Sequence, residues 1–182
     1  MMLYINGDSH TTAAEANNQY IVAGDDPKYV QLGHLPHPEN LSVSWGKLLS
    51  LSLRAGFHCA ALVDNTVDQI IQDTQEWIRD KGTADFVIIQ WPSEIDSEDK
   101  IWDFHQELLE QNIKHIFFNS NQIQPINPDR DWDNCLINDS YETSIQSAKI
   151  DTVSPNSKHF GADGHVFWNR LLLNYIIKHK FI

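Results

Sequence analysis

Five short apolar runs alternate along the chain with longer stretches in which apolar residues recur every three or four positions. The runs cover residues 3–5, 57–62, 85–90, 114–118 and, more weakly, 134–137, and each has the length of a buried strand. Residues 41–55 place Leu41, Trp45, Leu48, Leu49 and Leu53 on one helical face, and residues 66–81 do the same with Val67, Ile70, Ile71, Trp77 and Ile78. The pattern repeats over 101–109 with Ile101, Phe104, Leu108 and Leu109, and over 163–178 with Val166, Phe167, Leu171, Tyr175 and Ile176. Capping chemistry agrees: Asn40 or Ser42, Asn65 or Thr66, and the acidic Ser97-Glu98-Asp99 stand at helix starts, while Gly56 and Gly82 stand at stops. A shorter helix is predicted over residues 12–16, directly after the first strand. Strands alternating with helices predict an α/β fold with a mostly parallel five-stranded sheet. Two Pro-rich segments, 24–40 and 119–134, read as loops.

Composition narrows the partners. The 182 residues suffice for one domain, residues 1–182, with a full core. Acidic residues outnumber basic ones 25 to 13, for a net charge of -12, and the basic residues are scattered singly. That field disfavours phosphate backbones and anionic lipid, so neither nucleic acid nor a membrane is expected as a partner. No basic segment precedes the first apolar run, which stops at Asn6; a soluble protein without a cleavable export signal is expected. Cys59 and Cys135 lack any CxxC or Cys/His spacing and read as two buried thiols.

The first strand runs into Gly7-Asp8-Ser9-His10, which puts a hydroxyl at the carboxyl end of a strand, where α/β enzymes carry their nucleophiles. Gly7 permits the sharp turn, and a helix start there would aim free N–H groups at a developing oxyanion. Near the other end stands Asn156-Ser157-Lys158-His159-Phe160-Gly161-Ala162-Asp163-Gly164-His165, entering the last predicted helix. In a doubly wound sheet both segments lie at one edge, so a histidine there can take the Ser9 proton while an acceptor behind it fixes the ring.

These two blocks resemble the SGNH (GDSL-type) hydrolases, whose last block reads Asp-x-x-His-Pro-x-x-x-Gly-His. Laying His159 on the family's catalytic histidine puts Gly164-His165 on its Gly-His, with Phe160 in place of Pro and Asn156 in place of Asp. The chain is also similar to small SGNH-like proteins of tailed phages of marine cyanobacteria, including Ser44-Trp45-Gly46-Lys47 and Val87-Ile88-Ile89-Gln90-Trp91. The resemblance implies a flavodoxin-like three-layer α/β/α sandwich with strand order 2-1-3-4-5. It implies an esterase or carbohydrate O-acyl deacetylase acting on a small-molecule or carbohydrate ester without a cofactor. It also implies a host-cytoplasmic or virion location and association with a phage particle, in which case the alternative is a catalytically degraded binding or structural component.

On that alignment Ser9 attacks, His159 is the base with His165 as the second choice, and Asn156 or Asp163 orients the ring. Backbone N–H groups of Ser9 and of Asn65 or Thr66 hold the oxyanion. The family's third-block Asn is unmatched in Gln90-Trp91-Pro92-Ser93, leaving Gln90 or the Asn65 amide as substitutes. Asp8 and His10 flank the nucleophile, with His10 able to bond substrate or to pack. His34 and His37 have no third ligand at a recognisable spacing, and no metal is expected. Trp45, Trp77, Trp102 and Trp168 fall at helical core positions, whereas Trp91 and Trp132 could line a pocket.

Overall fold

The structure, a computed structural model, describes residues 1–17, 37–82, 84–121, 126–127 and 129–182. The loop expected over 24–40 falls mostly outside the described residues, as do His34, Pro125 and Pro128. The five strands are β1 (Met2–Asn6), β2 (Gly56–Cys59), β3 (Phe86–Trp91), β4 (His115–Asn119) and β5 (Leu136–Ile137). They form one all-parallel sheet in the order β2-β1-β3-β4-β5. Every residue of β3 and β4 is buried, as both faces of a parallel sheet require when helices cover them, whereas the edge strand β2 keeps every residue at least partly exposed.

Among the described residues there are six helices: α1 (Pro38–Ser42), α2 (Trp45–Ser52), α3 (Val67–Lys81), α4 (Glu98–Glu110), α5 (Tyr141–Ser147) and α6 (Ala162–Lys178). Because strand side chains alternate between faces, the sheet divides its apolar residues between two cores. Leu3, Ile5, Phe86, Ile88, Ile116 and Phe118 pack beneath Trp45 and Leu49 of α2, Tyr141 and Ile145 of α5, and Trp168, Leu172 and Ile176 of α6. Tyr4, Val87, Ile89, Trp91 and Phe117 pack on the other face beneath Val67 and Ile70 of α3 and Ile101, Phe104 and Leu108 of α4. The result is the three-layer α/β/α sandwich in the expected strand order.

Local departures have local causes. The helix expected over 41–55 is split, because Ser44 turns extended (φ -61°, ψ 148°) and its side chain accepts from the Lys47 N–H as the cap of α2. The helix expected over 12–16 does not form. Ala13 and Glu15 adopt left-handed backbone (φ 56° and 61°), and the segment closes as successive turns. Trp91 and Trp132, expected at a pocket, are buried: Trp91 packs edge-on against Phe104 and Phe117, and Trp132 against Trp102. Helix α5 has no counterpart in the periodicity reading, since its seven residues bury only Tyr141 and Ile145.

No helix among the described residues is long and apolar enough to cross a membrane.

Candidate active site

The strand order reverses between β1 and β3, and the crevice at their carboxyl ends is where α/β sheets admit ligands. Gly7-Asp8-Ser9 leaves β1 at this point. A Cβ at Gly7 would collide with the Thr11 side chain and stand 3.0 Å from the Gln90 carbonyl oxygen, so only glycine lets β1 turn this closely against β3. The turn is then pinned by the Thr11 and Thr12 N–H groups donating to the Asp8 carbonyl (3.0 and 3.1 Å) and by Ala14 N–H donating to the Ser9 carbonyl (3.0 Å).

Ser9 is half-buried, and its Oγ lies 2.9 Å from Nε2 of His159. The other ring nitrogen of His159, Nδ1, lies 2.5 Å from Oε2 of Glu15. The three groups therefore form a hydroxyl–imidazole–carboxylate chain, with the carboxylate six residues after the serine in the same turn. Ser157 completes the support: its hydroxyl donates to the same Glu15 oxygen (2.5 Å) and accepts from the His159 N–H (2.9 Å). A short antiparallel bridge, Thr152 to Phe160, and a Val153 N–H to His159 carbonyl bond (2.9 Å) hold the histidine loop against the domain. Burial opposes ionisation of Glu15, but hydrogen bonds from Ser157 and His159, with the His159 charge, outweigh it and hold the carboxyl below its usual range.

The residues expected behind the histidine stand elsewhere. Asn156 is exposed in the loop, and Asp163 is exposed in the first turn of α6, where a carboxylate favours the helix N-terminus. Neither makes a hydrogen bond to His159. Glu15 occupies the position assigned to them, and the correction has a physical basis: its left-handed backbone turns the side chain out of the path a helix would have given it. The signal was available only indirectly, because the neutral Asn156 leaves the imidazole in need of a carboxylate from another segment.

His165, the alternative base, is buried beneath the site and engaged in structure. Its Nδ1 accepts from the Trp45 N–H and faces the Tyr141 hydroxyl, each at 3.3 Å. It thus joins the start of α2 to α5 and α6. Burial pushes its pKa down to about 3, with the nearby His10 and His159 adding to the effect. A base whose folded pKa is depressed takes up a proton more readily when unfolded, so its contribution is complete above about 6.5 and is lost as the pH falls from there toward 3. His165→Asn, which keeps an acceptor near the Nδ1 position without titrating, is expected to reduce the loss of stability between pH 6.5 and pH 4. The urea midpoint of both proteins across that range checks this; parallel curves would refute it.

The other flanking residues form a buried scaffold. Asp8 accepts from the His10 N–H (2.9 Å) and from Nε2 of Gln90 (2.6 Å), and Gln90 in turn accepts from the Thr11 hydroxyl (2.6 Å). Burial raises the Asp8 pKa despite these donors and the neighbouring histidines. Gln90 is wholly buried, so this amide braces the turn that carries Ser9 instead of facing a ligand, which corrects its expected role as an oxyanion donor. His10 is buried, with Nε2 3.0 Å from Glu142 of α5 and its ring edge-on to that of His159. Burial works against its protonation, but the Glu142 hydrogen bond and the Asp8 and Glu142 charges raise its pKa.

Asn65 is brought to the turn that carries Ser9. Its amide donates to the Asn6 side-chain oxygen and to the Gly7 carbonyl, both at 3.2 Å. The side chain is therefore engaged, while among the described residues neither the Ser9 nor the Asn65 backbone N–H donates a hydrogen bond. Thr66 is exposed, and its hydroxyl caps α3 by accepting from the Gln69 N–H (3.3 Å). His37 caps α1 through Nδ1.

The strand order and the helices on both faces define the fold: a flavodoxin-like three-layer α/β/α architecture. Among solved structures, the chain is similar to a provisionally assigned lipolytic protein of G-D-S-L family from Desulfitobacterium hafniense DCB-2, with a TM-score of 0.55 at 12% identity over 100% of both chains. At that identity the likeness establishes the shared fold. No protein-family model matches the sequence, and comparison with curated proteins finds no match.

Proposed function

We propose that this chain is a serine hydrolase of SGNH type that cleaves an acyl ester, such as an O-acyl group on a small molecule or carbohydrate. The observation that carries this reading is the unbroken chain from Ser9 Oγ through both ring nitrogens of His159 to Glu15. In the reaction, Ser9 Oγ attacks the acyl carbon while its proton passes to His159 Nε2. Glu15 accepts the Nδ1–H throughout, fixing the tautomer and stabilising the imidazolium that forms. The tetrahedral oxyanion is held by the Ser9 and Asn65 N–H groups. His159 then hands its proton to the departing alcohol, and water attacks the acyl-enzyme by the same steps in reverse. None of these steps uses a cofactor.

One observation favours a weaker enzyme or a binding module. With Gln90 bonded to Asp8 and the Asn65 amide bonded to Asn6 and Gly7, the oxyanion has backbone donors alone, and one missing donor costs about 10²–10³ in rate. The resemblance to phage proteins makes a virion or assembly component the form that such a module would take. A fluorophosphonate probe separates the readings: the hydrolase should be labelled at Ser9, with the label absent from Ser9→Ala and its position fixed by peptide mass mapping. A folded chain that stays unlabelled would sink the hydrolase reading.

A further inference from the structure

On the α4 side of the sheet, at the edge opposite the nucleophile, three metal-ligating side chains far apart in sequence converge: His105 in α4, His115 at the start of β4, and Cys135 just before β5. Each offers a ligand atom, all three lie within 4.8 Å of one another, and all three residues are buried. Trp102, Trp132 and Phe117 pack around the rings.

The protons on the two rings can be counted. His115 Nδ1 stands 2.8 Å from the Ile113 carbonyl and must carry a hydrogen there, which leaves Nε2 as a lone pair. That lone pair faces Nδ1 of His105 at 2.7 Å. A neutral His105 can satisfy it only by keeping its single proton on Nδ1. One proton then has to serve two acceptors, that lone pair and the Asp131 backbone carbonyl beside the His105 ring, so one of them goes unmatched. The thiol of Cys135 adds only a long contact to the Asp133 carbonyl, 3.8 Å. A cation between the rings and the sulfur resolves the first of these deficits, because it takes the lone pairs of both facing nitrogens at once and leaves the His105 proton free for the Asp131 backbone carbonyl. His115 is already oriented for this, since a ligating imidazole commonly gives its other N–H to a backbone carbonyl.

We propose that His105, His115 and Cys135 form a binding site for a zinc-class ion, structurally separate from the nucleophile. Two imidazoles and a thiolate are a zinc donor set, and the exposed Asp131 and Asp133 beside it add negative charge on the solvent side, where an ion would enter. Zinc-bound nitrogens sit about 2.0–2.1 Å from the metal, so tetrahedral binding sets them about 3.3 Å apart. The rings need only part modestly from their 2.7 Å contact. Binding releases the thiol proton and, as the His105 proton moves to Nε2, leaves both imidazoles neutral.

The test uses the full chain, stripped with a chelator under reducing conditions and titrated with Zn²⁺ in competition with a chromophoric chelator. Cobalt(II) serves as the spectroscopic probe. One equivalent of zinc should bind, and Co²⁺ should give a thiolate charge-transfer band. Cys135→Ser should lose the band and bind zinc at least about 100-fold more weakly, since even outer-shell partners of a metal site are worth 10–100-fold. Cys59→Ser should keep both, and with two cysteines in the chain this alone assigns the sulfur if Cys135→Ser fails to fold. Absence of zinc binding or of the thiolate band in the parent, parental affinity in folded Cys135→Ser, or loss of the band in Cys59→Ser would each overturn the proposal.

Discussion

Alanine at Ser9, alanine at His159 and alanine at both positions are expected to lower ester turnover by nearly the same factor, roughly 10⁴ to 10⁶. The near-equality is the informative part. The hydroxyl at 2.9 Å from His159 Nε2 is a useful nucleophile only while that nitrogen can take its proton, and the nitrogen has no role in acyl transfer without the hydroxyl. Two groups that act as one unit lose their whole effect when either is removed, so the double variant should add little to the single ones. Steady-state hydrolysis of p-nitrophenyl acetate by the parent and the three variants, with circular dichroism to check folding, measures the cycle. Losses that multiply would mean that Ser9 and His159 act independently, and the proton-transfer chain would have to be abandoned.

Glu15→Gln is expected to lower turnover by about 10³ to 10⁴, with little change in KM. Glutamine retains the side-chain length and an acceptor for His159 Nδ1–H but brings no charge to stabilise the imidazolium. Because the ring and the Ser157 hydroxyl both bond one Glu15 oxygen, the glutamine carbonyl can take that place and keep both bonds, so the loss reads the missing charge. Asn156→Asp and Asp163→Asn should leave turnover near the parental value, because both side chains are exposed and neither bonds the histidine. Sensitivity at Asp163 equal to that at Glu15 would refute the assignment. Stability has its own signature: because the folded carboxyl ionises below its unfolded value of 4.5, Glu15 stabilises fully above that pH and its contribution is lost as the pH falls through the folded value. Glu15→Gln should therefore unfold less steeply in acid than the parent.

The hydrophobic pattern by itself determined the class of fold. All-buried runs such as 86–91 and 115–119 leave no solvated face, so they belong to a sheet covered on both sides, and the 3.6-residue stripes of α3, α4 and α6 supply the covers. The meeting of Ser9 with His159 was also legible, because a hydroxyl at the end of the first strand and a histidine ahead of the last helix are brought to one edge of a doubly wound sheet.

Only the tertiary structure decided which groups complete the site. Helix propensity over residues 12–16 gave way to left-handed turns that bring Glu15 under His159, a conformation stabilised by the bonds from Ser157 and His159, both distant in sequence. Gln90 and the Asn65 amide look like free donors in the sequence and are engaged only because β3 and the β2–α3 loop close on the β1 turn. His105, His115 and Cys135 follow no spacing rule, since three different elements deliver them to one point. Periodicity records which side of an element is buried, whereas hydrogen-bond partners depend on where separate elements meet, and that is set by packing over the whole chain.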